Sequence, residues 1–100
     1  MVKKPVDLIG REVSGVAFVR DVVEFAFDGV VLRCDADPCV VIGEATYRFP
    51  KPGSRDALCL IIGSTVRDVA LIDGRQFEFA TSNGCRVRIP LAEGEALRLG

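Results

Sequence analysis

The sequence predicts a mainly β fold in which one three-strand antiparallel unit occurs twice. Three observations support this prediction: an internal repeat, short runs in which apolar and polar residues alternate, and glycine-containing turns between those runs. The chain has 100 residues, of which 49% are hydrophobic and 27% charged, as in ordinary soluble globular domains. We expect a single domain over residues 1–100, with repeats at about 8–35 and 61–90 and an inserted segment at 36–60.

The internal repeat is the strongest pattern in the chain. The segment from Leu8 to Val19 aligns with that from Ile61 to Ile72, with Gly, Val, Val and Ala at the same offsets. Glu24-Phe25-Ala26 then matches Glu78-Phe79-Ala80, and the second copy has gained one residue in each of two places. Two antiparallel units that are each apolar on one face should pack together as a small sandwich or barrel, related by an approximate two-fold axis.

The turns determine which side chains face inward, because side chains alternate between the two faces of a strand. In the first copy, two-residue turns at Asp28-Gly29 and Arg20-Asp21 keep every inward pair apolar. The predicted inward pairs are Phe27 with Val30, Phe25 with Leu32, Val23 with Cys34, Phe18 with Val23, and Val16 with Phe25.

The second copy needs longer turns. A two-residue turn at Asn83-Gly84 would set Phe79 opposite Arg88, so we expect the three-residue loop Ser82-Asn83-Gly84, with the glycine in a left-handed bulge position. By the same argument the other loop is Asp73-Gly74-Arg75. The predicted inward pairs are Phe79 with Val87, Phe77 with Ile89, and Leu71 with Phe77.

These registers also place an acid and a base opposite each other on the outward face of each copy. Glu24 lies opposite Arg33 and Glu78 lies opposite Arg88, which predicts two structural ion pairs, each contributing about 0.2–1 kcal/mol. The inward-facing residues form the expected core: Val13, Val16, Phe18, Val23, Phe25, Phe27, Val30, Leu32, Val66, Val69, Leu71, Phe77, Phe79, Val87 and Ile89.

The inserted segment is predicted to form a pair of strands and one short helix. The strands run from Cys39 to Ile42 and from Ala45 to Phe49. Ser54 is the expected N-cap of a helix that continues from Arg55 to Ile62, and Gly63 ends this helix.

Charge and composition argue against several classes of function. The 13 Lys and Arg residues balance 14 Asp and Glu residues, so we expect no nucleic-acid binding, which depends on clustered positive charge. Histidine is absent, which removes the commonest general base and most transition-metal sites. We therefore expect no enzymatic activity, no cofactor and no bound metal.

The sequence also bears on the compartment. The first residues lack the apolar run of a secretory signal, and the longest apolar run, Ala57 to Ile62, is too short to span a bilayer. We therefore expect a cytoplasmic protein that does not bind membranes. Its four cysteines, Cys34, Cys39, Cys59 and Cys85, should stay reduced and be buried as small apolar groups.

A family resemblance rests on the repeat. It is carried by Leu8-Ile9-Gly10, Val13, Val16, Phe25 to Gly29 and Leu32, and by their second appearance between Ile61 and Ile89. This pattern resembles small uncharacterised bacterial domains in which the unit L-x-G-x-x-V...F-x-x-G-x-x-L occurs twice. The resemblance implies the fold and no activity. More loosely, the chain resembles the immunity proteins that bacteria pair with polymorphic toxins, although it lacks a strongly acidic surface.

We expect a non-enzymatic protein-binding module, for which a bacterial immunity or inhibitor protein is one candidate. Its partner would be another protein, such as a toxin, or a second copy bound through an edge strand. The alternative is a small-ligand binding or sensing β-barrel with a mouth between its strands. Tyr47 either contacts the partner or covers the edge of the core. The candidate partner contacts are Tyr47, Arg48, Arg33, Arg86 and Arg88.

Overall fold

Two antiparallel sheets form the fold. The computed structural model describes residues 5–20, 22–34, 36–73 and 75–91. The three-stranded sheet has the order β1-β2-β3, with β1 at Val13–Val19, β2 at Val22–Phe27 and β3 at Val30–Cys34. The five-stranded sheet has the order β5-β4-β8-β7-β6, with β4 at Cys39–Ile42, β5 at Ala45–Arg48, β6 at Val66–Ile72, β7 at Gln76–Thr81 and β8 at Cys85–Pro90. A 3-10 turn at Pro5–Leu8 precedes β1, and a helix, α1, spans Ser54–Cys59.

The strand registers confirm the predicted fold class. Every predicted inward pair of both copies is present, which follows from two-residue turns in the first copy and longer turns in the second. Asp21 and Gly74, which belong to two of these turns, lie outside the described residues. The inserted strands pair with each other, and β4 also pairs with β8, so they extend the sheet of the second copy. The described strands form two separate sheets, so of the two predicted arrangements the sandwich is the one observed.

The two copies meet where β1 and β6 begin. The backbone N–H of Gly10 donates to the carbonyl of Val66 at 2.9 Å, and in the corresponding bond the N–H of Gly63 donates to the carbonyl of Val13 at 2.8 Å. Each of these two strands then has a bulge, which is seen as a shift of register just after Val13 in β1 and just after Val66 in β6. Equivalent positions of the repeat therefore make equivalent backbone contacts.

Phenylalanine side chains fill the space between the sheets. The ring of Phe79 contacts Phe25 edge-on at a centroid distance of 5.6 Å and Phe27 edge-on at 5.3 Å, so it joins β7 to the opposite sheet. Phe77 lies beside it at 6.1 Å. The core also contains Phe49 and a set of aliphatic and thiol side chains that includes Leu8, Val13, Val23, Leu32, Val40, Leu58, Ile61, Val66, Cys85, Val87 and Ile89.

One predicted core residue is on the surface. Leu71 is 57% exposed, whereas Phe18, at the equivalent position of the first copy, is partly buried. The inserted segment explains the difference: Phe49 stacks on Phe18 at a centroid distance of 5.7 Å, and the Arg55 guanidinium covers both rings. The prediction that Leu71 is buried was wrong because this cover exists at only one of the two equivalent sites.

The helix of the inserted segment starts differently from the prediction. Gly53 is its N-cap, with a φ of 83°, and no side chain caps the helix. The prediction of Ser54 as N-cap was wrong, because Ser54 belongs to the buried stripe of the helix, three residues before Ala57. The Ser54 hydroxyl is buried and has no hydrogen-bond partner among the residues that the structure describes. The helix also ends earlier than predicted, at Cys59 rather than Ile62, and β5 ends at Arg48 rather than Phe49.

Three of the four cysteines are buried as predicted. Cys34, Cys39 and Cys85 are buried, and all four cysteines are free thiols. Cys59 is exposed, which corrects the prediction for that residue. It lies off the inward stripe of α1, so a residue that composition alone places in the core faces the solvent instead.

The asymmetry at Leu71 gives a direct test of the core. Phe79→Ala should lower the free energy of unfolding by about 3–5 kcal/mol, because it removes a ring that contacts both sheets. Leu71→Ala should lower it by less than about 1 kcal/mol, because that side chain is mostly solvated. Urea denaturation followed by circular dichroism measures both values, and similar losses in the two variants would contradict this core.

The unsatisfied hydroxyl gives a second test. Ser54→Ala should raise the free energy of unfolding by about 1 kcal/mol, because it removes a buried polar group that has no partner. Ser64 is the matched control: it is also buried, but its hydroxyl donates to the carbonyl of Ile61. Ser64→Ala should therefore be destabilising. In thermal unfolding, the melting temperature of Ser54→Ala should be higher than that of the wild type, and the melting temperature of Ser64→Ala should be lower.

Candidate functional site

Three of the predicted contact arginines lie together on the outer face of the five-stranded sheet. Arg48 of β5 and Arg88 of β8 are both opposite Cys39 of β4, so the three residues share one row of the sheet. Arg86 follows in the next row, two residues from Arg88. We define the arginine face by its two rows: Arg48, Cys39, Arg88, Glu78 and Ala70, and then Thr46, Val41, Arg86, Ala80 and Asp68.

The sheet determines the spacing of these cations. Neighbouring strands lie about 4.8 Å apart, so the backbones of Arg48 and Arg88, separated by β4, are about 10 Å apart. Arg86 and Arg88 are two residues apart on one strand, which corresponds to about 7 Å. β8, which carries Arg86 and Arg88, has hydrogen-bonded neighbours on both sides, whereas Arg48 is on β5 at the edge of the sheet.

Neighbouring groups neutralise only part of this positive charge. Nε of Arg88 donates to Oε1 of Glu78 at 3.0 Å, and the Glu78 side chain is only 13% exposed. Among the described residues, neither Arg48 nor Arg86 forms an ion pair or a side-chain hydrogen bond. The carboxylate of Asp68 accepts a hydrogen bond from the backbone N–H of Val69 at 2.9 Å. The face therefore presents two guanidinium groups that have no partner in the described ranges of the chain.

A shallow depression lies at one side of the arginine face. It has a volume of about 70 Å³ and is lined by the charged side chains of Asp68, Glu78 and Arg86, with Val69, Ala70 and Ala80. Its small size and charged lining suit one side-chain group of a partner rather than a whole ligand.

The other two predicted contacts lie elsewhere. Arg33 is on the outer face of the three-stranded sheet, opposite Glu24, with Nη1 3.9 Å from Oε2 of that carboxylate. Tyr47 is on the inner side of β5, opposite the buried Val40, and its ring packs against Gly53. Tyr47 is 37% exposed and lies on the opposite side of the sheet from the arginines, so the five predicted residues do not form one site.

Sequence reasoning missed a second depression, on the three-stranded sheet. It has a volume of about 200 Å³ and is lined by Gly15, Val16, Ala17, Glu24, Ala26 and Val31. Its lining positions correspond through the repeat to those of the depression on the arginine face. The signal that could have found it is the series of apolar residues at outward positions, Val19, Val22 and Val31.

In the described part of the chain, no group of three or more Cys, Asp or Glu residues is arranged to hold a metal ion. No helix within the described ranges has both the length and the apolar character needed to cross a membrane.

The two cross-strand ion pairs should differ in strength. Glu78→Gln should lower the free energy of unfolding by about 0.5–1 kcal/mol, because Glu78 is mostly buried and close to Arg88. Glu24→Gln should change it by less than about 0.3 kcal/mol, because the Glu24 pair is longer and better solvated. Denaturation at low and high NaCl measures both losses of unfolding free energy. Salt screens the ion pairs, so the losses in the two variants should become more similar at high NaCl. An equal cost at the two sites would disagree with this geometry.

Comparisons with known proteins identify no relative of this chain. No protein-family model matches the chain, and no curated protein or solved structure is significantly similar to it. The side chains on the outer faces of the two sheets are therefore the basis for assigning a function to this chain.

Proposed function

We propose that this chain is a non-enzymatic protein-binding module that uses the arginine face to contact an acidic surface of another protein. One observation carries the proposal: Arg48 and Arg86 stand on a hydrogen-bonded sheet without a partner among the described residues, beside the paired Arg88. Arginine is enriched at protein interfaces and at their energetically important positions.

Guanidinium chemistry indicates the kind of partner. A guanidinium group binds a carboxylate through two parallel hydrogen bonds, so Arg48 and Arg86, which lie diagonally across the sheet, suit Asp or Glu side chains about 12 Å apart on the partner. The same face also contains the carboxylates of Glu78 and Asp68, which would repel the continuous negative charge of a nucleic-acid backbone. The mixed charge therefore favours a protein surface with discrete acidic groups.

The class of binding protein is proposed from the sequence. The looser resemblance to the immunity proteins of polymorphic toxins favours a bacterial inhibitor among the possible binding modules. With a formal net charge of −1 and arginines on the contact face, such an inhibitor would bind a toxin through the toxin's acidic residues. A nuclease, whose substrate-binding surface is basic, is the toxin class that fits least.

The packing between the sheets supports a protein-binding surface over a ligand-binding barrel. A ligand site between the strands would need open space at the centre of the fold. The side chains of Phe25, Phe27, Phe77 and Phe79 occupy that space and are fully buried. The depressions described above are on the outer faces instead.

Co-purification from a lysate of the source organism tests the proposal. The bait is the wild-type chain, the double variant Arg48→Glu/Arg86→Glu, or the control Arg20→Glu/Arg75→Glu. The control arginines are exposed in the turns after β1 and β6, so the two variants change net charge equally. Wild type and control should retain the same stoichiometric protein, and the arginine-face variant should lose it.

Titration of the identified partner then completes the test. The arginine-face variant should bind at least tenfold more weakly than the control, and raising NaCl from about 0.1 to 0.5 M should weaken wild-type binding. No stoichiometric protein at micromolar bait, or equal loss in both double variants, would count against the arginine face. Circular dichroism of each bait ensures that the variants compared are folded.

A further inference from the structure

The outer face of the three-stranded sheet is more apolar than a solvated sheet face normally is. An antiparallel sheet with one face on the core usually presents polar side chains on the other. Here Val19 is 53% exposed and Val31 is 37% exposed. We define the valine face by the outward residues of β1, β2 and β3: Gly15, Ala17, Val19, Val22, Glu24, Ala26, Val31 and Arg33.

The second copy of the repeat provides an internal comparison. Three positions are apolar on the valine face and polar or charged at the equivalent place on the arginine-bearing sheet: Gly15 corresponds to Asp68, Val22 to Gln76, and Val31 to Arg86. The other positions have the same chemical character in both copies: Ala17 and Ala70, Val19 and Ile72, Glu24 and Glu78, Ala26 and Ala80, Arg33 and Arg88. The backbone thus accepts charged residues at these positions, and only one of the two faces lacks them.

The shape of the valine face suits sheet-on-sheet packing. Gly15, Ala17 and Ala26 have small or no side chains and line the depression of about 200 Å³, while Val31 stands at its side. In facing sheets, the side chains of the two layers interdigitate across about 10 Å. A valine from an opposing face can therefore enter the space above these small residues.

The charges of the valine face match the same face of another molecule. Its middle row is Ala17, Glu24 and Arg33, which contains one acid and one base. A two-fold axis that lies in the plane between the two facing sheets, parallel to the strands and above the midpoint of these two residues, brings Glu24 of each copy toward Arg33 of the other. A strongly acidic or basic partner would leave one of these charges facing a like charge, whereas a second copy leaves neither.

We propose that a second copy of this chain docks on the valine face and forms a symmetric dimer through sheet-on-sheet packing. The face is about 14 Å wide and 20 Å long, from three strands and about six residues per strand. Two such faces bury about 600 Å² in total, below the roughly 1,200 Å² of stable specific interfaces, so the dimer is weak and concentration-dependent. It leaves the arginine face of each copy free, so its success or failure is separable from that of the proposed function.

Sedimentation velocity of the full chain between about 5 and 500 µM tests this dimer. Wild type should shift from monomer toward dimer across this range. Ala17→Arg places an extra cation in the depression of the valine face and should raise the dimer dissociation constant at least tenfold. Ala70→Arg makes the same change at the equivalent exposed position of the other sheet and should leave the constant unchanged. Val31→Arg, which copies the residue found at position 86, should behave like Ala17→Arg.

The proposal is overturned by three results. The first is a wild-type chain that remains monomeric at the highest concentration. The second is a dimer that Ala17→Arg and Val31→Arg leave intact, which would place the contact elsewhere. The third is equal weakening by Ala17→Arg and Ala70→Arg, which would indicate a general effect of charge. Thermal unfolding of each variant shows whether it is folded. If either Ala17→Arg or Val31→Arg does not fold, the dissociation constant of the other variant tests the proposal.

Discussion

The contact between Phe25 and Phe79 is the interaction on which the rest of the structure depends. The two rings lie at equivalent places in the repeat and meet edge to face between the sheets at 5.6 Å. Because side chains alternate along a strand, directing these rings inward directs Glu24 and Glu78 outward, together with the arginines opposite them. The aromatic core and the surface that we propose for binding are thus two consequences of one alternation.

Much of the fold could be predicted because the repeat supplies two independent readings of the same pattern. A slip of one residue at Asn83-Gly84 would have set Phe79 against Arg88, and this single conflict was enough to choose the longer turn. The wrong predictions concern residues whose burial or role is not determined by the alternation of side chains along a strand. Leu71 depends on whether a distant segment covers it, and Ser54 depends on which residue starts a short helix. The first depends on tertiary packing and the second on where a helix begins, and the alternation of residues along a strand predicts neither.

The candidate site was predictable only in part. Residue type alone selected five possible contacts, but it could not assign Tyr47 to the inner side of β5 or separate Arg33 from the other arginines. The pairing of β4 with β8 brings Arg48 beside Arg88, and this pairing joins segments far apart in the chain. The valine face was missed because an exposed valine is unremarkable by itself. It becomes informative beside Arg86, its counterpart in the other copy.

The bulges that follow Val13 and Val66 affect how readily the edge strands of the sheets can pair with strands of other molecules. β1 and β6 are the outermost strands on one side of each sheet, and a bulge interrupts the regular spacing of N–H and C=O groups along an edge. An approaching strand therefore meets a kinked template rather than a straight one. Pairing with a strand of another molecule is therefore disfavoured at these two edges, while closed association through a face stays available.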